Sequence, residues 1–223
     1  GTVAPPPTAE DEEALTNNNV RGAAQRSRVE HCGGCRGDQF QRAVDLGITI
    51  SLGPFQFIYW GDLLDGTMFP SEIGSQWMRW GDAVRAGAHI SFHNDGSVSP
   101  PIPLLNIQTA ITRMTDSGQV RGASQIISLD DALKAETIGA AYMLHRDDEI
   151  GSLAVGKYAD LVELSKDPYL AEPTKLATEV KVEGTWLSGH KVGLDAFMDQ
   201  IKEVEAAQTH AVDHHTVVAA HSC

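Results

Sequence analysis

One stretch constrains the fold more than any other, the run Ala88-His-Ile-Ser-Phe-His-Asn-Asp-Gly-Ser-Val-Ser-Pro-Pro that ends at Pro101. Ile90 to His93 has the β-branched and aromatic character of a buried strand. It stops at Asn94-Asp95 and opens into Gly, Ser and Pro, which break regular structure. The segment before it, Trp77 to Ala86, has helical spacing and a glycine stop at Gly87. Helix, strand, acidic tip and loop form one unit of an α/β barrel, and such barrels do their chemistry where strands end in loops. A carboxylate at that tip serves as a ligand, a base or a loop cap, and the residues alone leave all three open.

The alternation extends upstream. Val29 to Cys32 reads as a short strand, Asp38 to Leu46 as a helix stopped by Gly47, and Ile48 to Leu52 as a second strand. Strand, helix, strand, helix, strand implies parallel pairing with right-handed crossovers. Residues 53–74 read as a long loop carrying Phe55, Phe57, Tyr59, Trp60 and Phe69, and loops of that length are usually functional. Downstream, Leu104 to Met114 reads as a helix. Ser128-Leu-Asp-Asp131 is an approximate capping box for another, whose apolar face carries Leu129, Leu133, Ile138, Tyr142 and Met143. Ala159 to Leu164 and Thr185 to Leu187 read as strands around glycine-rich turns, and Leu194 to Ala207 as an amphipathic helix.

The net charge of -13 argues against nucleic acid and anionic membrane as partners, since both repel an acidic surface. No stretch approaches the roughly 20 apolar residues of a membrane span. The N-terminal residues lack the basic and apolar regions of a signal peptide, so the expected location is cytoplasmic, or that of a processed protein. Cys32-Gly-Gly-Cys35 is formally a redox pair or half a zinc knuckle. Gly33-Gly34 is a poor helix start, no second such pair exists, and the expectation is incidental thiols in a loop. His210, His214, His215, His221 and Cys223 can bind metal, but read more simply as a solvated tail.

A second run sharpens the reading. Glu149-Ile-Gly-Ser-Leu-Ala-Val-Gly-Lys-Tyr-Ala-Asp-Leu-Val-Glu-Leu, ending at Leu164, resembles the C-terminal signature of the amidohydrolase superfamily. Arg28-Val-Glu-His-Cys32 resembles that superfamily's sixth-strand segment, Phe92 to Asp95 the end of its eighth strand, and Thr185-Trp-Leu-Ser-Gly-His-Lys-Val192 its closing sandwich strand. Tyr59-Trp-Gly-Asp62 fits the branch of N-substituted formamide deformylases and related amide hydrolases.

The resemblance implies an α/β fold: the last strands of a (β/α)8 TIM-type barrel plus part of a small β-sandwich. It covers barrel 28–148 and sandwich 149–192; the residues themselves read as a weakly structured segment 1–27 before these and a helix with His-rich tail 193–223 after them. It implies a metal-dependent hydrolase of a non-peptide C–N bond in a small amide-type substrate, with zinc as the expected divalent ion. His31 and Asp95 match metal ligands, and Asp95 also matches the residue that moves protons. His93 lies two residues before Asp95, on the same side of a strand, either near the site or in the barrel interior. Tyr59 and Trp60 are candidates to line a substrate pocket, with a cover over the barrel top as the plainer role. His89 and His145 have no such context. A zinc site takes three or four ligands. The superfamily's H-x-H pair, bridging lysine or glutamate, and fifth-strand histidine find no match here. The expectation is a chain active only with a complementary N-terminal half or a second copy. The alternative is a non-catalytic remnant of the fold.

Overall fold

The computed structural model describes residues 25–96, 98–193, 198, 199 and 202. Most of segment 1–27, the expected helix at Leu194–Ala207 and the His-rich tail lie wholly or mostly outside the described residues.

Three short strands, β1 (Arg28–His31), β2 (Thr49–Leu52) and β3 (Ile90–Phe92), pair in parallel in that order. The register sets Glu30 opposite Ser51 and Ser51 opposite Ser91. Because strand side chains alternate, Ile50, Leu52, Ile90 and Phe92 share one face, and Glu30, Ser51 and Ser91 share the other. The apolar face is covered by α1 (Gly37–Asp45), α2 (Pro54–Leu64) and α4 (Trp80–Arg85), through Phe40, Phe57 and Trp80, each fully buried. A short α3 (Ser71–Gly74) precedes α4.

Residues 53–74 are largely helical, which corrects the expected long loop. Pro54 sits at the first position of α2, where its fixed φ is already helical. Phe55, Phe57, Ile58 and Leu64 are buried. With Tyr59, Trp60 and Leu63 the helix is apolar almost all round, so it carries no clear 3.6-residue stripe. The helix expected at Trp77–Ala86 forms only from Trp80, because Met78 takes a left-handed backbone (φ 56°).

Beyond β3, α5 (Pro103–Thr112) ends at Arg113, also left-handed. The Arg113 side chain is fully buried. Its guanidinium donates to the carbonyl oxygens of Ser75, Trp77, Met78 and Arg121 and lies 3.6 Å over the Phe57 ring. It thus ties three chain segments by their backbones.

Ser128 caps α6 (Leu129–Glu136), its Oγ accepting from the Asp131 amide at 3.1 Å. The continuous helix expected through Met143 breaks at Thr137, and α7 (Ile138–Met143) follows. There Gly139 packs so closely on β3 that an added Cβ would fall 2.2 Å from the Ile90 carbonyl oxygen.

A second sheet, antiparallel, contains β4 (Leu161–Leu164), β5 (Val182–Leu187) and β6 (His190–Lys191) in that order. The hairpin turn at Ser188-Gly189 has positive φ at both residues, as a type I′ turn requires. The intervening α8 (Leu176–Glu179) returns to the main core through Leu176, and its Ala177 amide donates to Gln108 on α5 at 2.9 Å.

Candidate functional site

The C-terminal ends of β1 and β3 carry the two residues singled out from sequence. His31 Nε2 lies 4.0 Å from Asp95 Oδ2, across the tip of β2. Both residues take left-handed backbone, with φ of 63° and 58°. For non-glycine residues that conformation costs on the order of 1–3 kcal/mol, and such strain gathers at functional sites. The side chains are 40% and 44% exposed, open to a cleft of about 510 Å³ over the polar face of the sheet. Glu30, Ser51 and Ser91 form its floor, and Ala140, Met143 and Leu144 one wall.

A chain of hydrogen bonds orients His31 from behind. Trp77 Nε1 donates to Gln56 Oε1 at 3.3 Å, and Gln56 Nε2 lies 3.0 Å from His31 Nδ1. Indole N–H is a donor only, so the Gln56 amide is fixed with its NH2 toward the imidazole. Nδ1 therefore accepts, and neutral His31 carries its proton on Nε2, facing Asp95. Sequence reading missed Gln56, because a glutamine on an apolar helix carries no motif.

His93 sits beside His31, with ring centroids 4.8 Å apart, and both rings meet Phe55 edge-on. Burial, and then the proximity of His31, holds the His93 imidazole below its usual pKa. His93 Nε2 is buried without a hydrogen-bond partner among the described residues. His93 lines the cleft, whereas Tyr59 and Trp60 do not: they are about two-fifths exposed on α2. Trp60 meets Phe55 edge-on, with ring centroids 5.9 Å apart, and Phe55 in turn meets both histidines. Asp62 turns away to bind Arg121, Thr115 and Ser117. His89 stacks on Tyr142, and His145 Nε2 meets the Gln25 carbonyl, both away from the site.

The Asp95 tip has its own support. Asn94 and Asn106 pair amide to amide, at 2.9 and 3.2 Å. Asn106 Nδ2 also donates to Glu136 Oε1 at 2.9 Å, and Ser99 Oγ donates to the Asn94 carbonyl at 2.7 Å. Burial pushes the Glu136 carboxyl up to about 7, against the opposing hydrogen bond from Asn106.

Imidazole nitrogen and carboxylate oxygen are the donor types zinc takes, but two bonds of about 2.0–2.2 Å at a tetrahedral ion set their donors roughly 3.3–3.6 Å apart. At 4.0 Å the pair fits a divalent ion in donor type and would have to close by about half an ångström to share one. It does not complete a site: among the described residues no group of three His, Cys, Asp or Glu is placed to hold one.

A correction falls next to His31. Cys32 and Cys35, expected as incidental thiols, are joined by a disulfide. The turn that Gly33-Gly34 makes, unsuited to a helix, is what brings the two sulfurs together.

The amidohydrolase family model matches residues 7–192. The chain belongs to the amidohydrolase family. This amidohydrolase chain is 28% identical over 162 residues to the N-substituted formamide deformylase of Arthrobacter pascens, covering 73% of this chain and 30% of that protein. An uncharacterized metal-dependent hydrolase from Pyrococcus horikoshii superposes with a TM-score of 0.57 at 26% identity, over 73% of this chain and 34% of that one. An adenosine deaminase from Xanthomonas campestris with bound zinc shares the fold, with a TM-score of 0.53 at 17% identity over 86% of this chain and 48% of that one. The chain thus spans between about a third and a half of the length of these three relatives. Among the described residues no helix is long and apolar enough to cross a membrane.

Proposed function

We propose that this amidohydrolase chain forms strands six to eight of a metal-dependent hydrolase barrel, with residues 149–192 in its β-sandwich, acting on an amide-type C–N bond of a small molecule. The observation that carries this reading is the convergence of His31 Nε2 and Asp95 Oδ2 at neighbouring strand tips, over a polar cleft. The deformylase likeness supports the bond type, and the metal-dependent neighbours support a divalent ion, with zinc suited to these donors.

His31 and Asp95 would hold the ion together with ligands from an N-terminal half, in the same protein or a companion chain. When bound, the ion supplies an acidified water and a polarised carbonyl. The Asp95 carboxylate, on the exposed tip, would be the group to move a proton between a water and the leaving amine. Phe55 and His93 shield the back of the cleft from solvent.

The incomplete ligand set favours one second reading, a non-catalytic remnant of the fold. Native mass and elemental analysis of the assembly purified from its source distinguish the two. A complex that contains the missing half and a divalent ion supports the hydrolase. A metal-free assembly that hydrolyses no amide supports the remnant.

A further inference from the structure

The Cys32–Cys35 disulfide has no part in the hydrolase reading, yet it closes the turn that begins at His31. We infer that this cysteine pair is a thiol–disulfide exchange site, reactive toward a small dithiol or a dithiol protein, whose state sets how firmly His31 is held.

Two routes connect the pair to His31. The first is the backbone. His31 and Cys32 are consecutive non-glycine residues in the left-handed region, with φ of 63° and 51°. Such a pair persists only where its surroundings over-determine it. Here the fixing contacts are few: Cys32 N–H to the Glu30 carbonyl, Cys35 N–H to the Cys32 carbonyl, Met78 N–H to the Gly33 carbonyl, and the disulfide itself. The second route is the side chain. Gly33 lies so close to Trp77 that an added Cβ would meet Nε1 at 2.5 Å. That same Nε1 donates to Gln56, which contacts His31 Nδ1. A shift of the turn therefore moves both the His31 backbone and the group that orients its ring.

The pair is reachable without passing through the His31–Asp95 cleft. Cys32 and Cys35 line a separate hollow of about 430 Å³ beside the outer, helix-covered face of the sheet, next to Arg36 and Arg42. Asp38 lines the hollow too and offsets Arg36, with which it pairs at 2.8 Å, so Arg42 is the cation left to face an anionic attacking thiolate. A bridge between residues only three apart restricts the unfolded chain little, so its effect is local and not a general staple.

The chemistry balances with a dithiol as the named reductant. Its thiolate attacks one cysteine sulfur, the S–S bond breaks, and the other cysteine leaves as thiolate. The reductant's second thiol then attacks its own sulfur in the mixed disulfide and releases the first cysteine. The reductant ends as a cyclic disulfide, two electrons pass to the protein, and two protons end on Cys32 and Cys35.

The experiment treats the full chain with dithiothreitol, then with oxidised dithiothreitol. It follows the state of Cys32 and Cys35 by alkylation and peptide mass, and backbone hydrogen exchange by mass spectrometry. The proposal does not require His31 to bind metal, so its outcome is independent of the hydrolase reading. Native-state reduction should be reversible and should raise exchange at residues 31–35 and at Met78 by about tenfold or more, leaving Ile50 and Phe92 unchanged. The variant Cys35→Ser should show the raised exchange without reductant. Three results overturn the proposal: free thiols at both positions in air-oxidised chain, a disulfide that dithiothreitol reduces only in denaturant, or reduction that leaves exchange at residues 31–35 and Met78 unchanged. Should Cys35→Ser fail to fold, the dithiothreitol series on the unaltered chain decides alone.

Discussion

Gln56 presents its amide nitrogen, not its oxygen, to His31 Nδ1, at 3.0 Å. Trp77 enforces that choice by donating to the Gln56 oxygen. The resulting tautomer places the His31 proton on Nε2, the nitrogen nearest Asp95. A metal ion at Nε2 needs that lone pair and sends the proton to Nδ1. The resting hydrogen-bond chain therefore opposes metal binding at this histidine until Gln56 turns over.

Gln56→Glu should remove that opposition. A carboxylate accepts from Trp77 Nε1 and from a protonated Nδ1 together, the arrangement that orients and strengthens a histidine ligand. Since losing such a partner typically costs roughly 10- to 100-fold in affinity, gaining one should tighten binding by a comparable factor. Competition against a chelator of known affinity measures this. Unchanged or weaker binding contradicts the tautomer assignment.

Glu136 should make stability fall as pH rises. Its carboxyl titrates at about 7 in the folded chain against an ordinary 4.5, because burial disfavours the charged form. The contribution is fully present below about pH 4.5 and lost as pH rises through about 7, since the unfolded chain releases its proton first. Glu136→Gln keeps a partner for Asn106 and abolishes this loss. Urea midpoints at acidic and alkaline pH should converge in the variant relative to the unaltered chain. Equal pH dependence in both contradicts the assignment.

Gly139→Ala should destabilise the fold. The added methyl meets the Ile90 carbonyl oxygen at 2.2 Å and the Lys134 carbonyl oxygen at 2.9 Å. Backbone cannot swing aside as a flexible side chain can, so α7 must lift from β3. Overpacking of this kind costs about 1–3 kcal/mol. Denaturant unfolding reads it directly, and a midpoint within error of the unaltered chain contradicts the close packing.

The parts legible in the sequence were those governed by short periods and stops. Strands of three or four residues at β1, β2 and β3 announce themselves by β-branched residues between glycine and helix signals. Asp95 stands out because it ends such a strand. The Ser128 cap follows from one side chain reaching one backbone amide. The parts not legible depend on long-range geometry. Helix α2 is apolar on nearly every side, so periodicity had nothing to register. The close seat of Gly139 on the Ile90 carbonyl joins residues distant in sequence. Gln56, Trp77, Asn106 and Glu136 are set beside the site by crossovers, and none belongs to a pattern that local spacing reveals.

The most direct test of the account is the divalent-metal stoichiometry of the assembly containing this chain, compared between the unaltered protein and Asp95→Asn. A charged ligand becomes a neutral amide of the same shape, so the fold is preserved while the donor is weakened. About one bound ion or more per chain is expected in the unaltered assembly, and loss of an ion held by Asp95 and His31 in the variant. Full retention of metal by Asp95→Asn, at the same affinity, would contradict it.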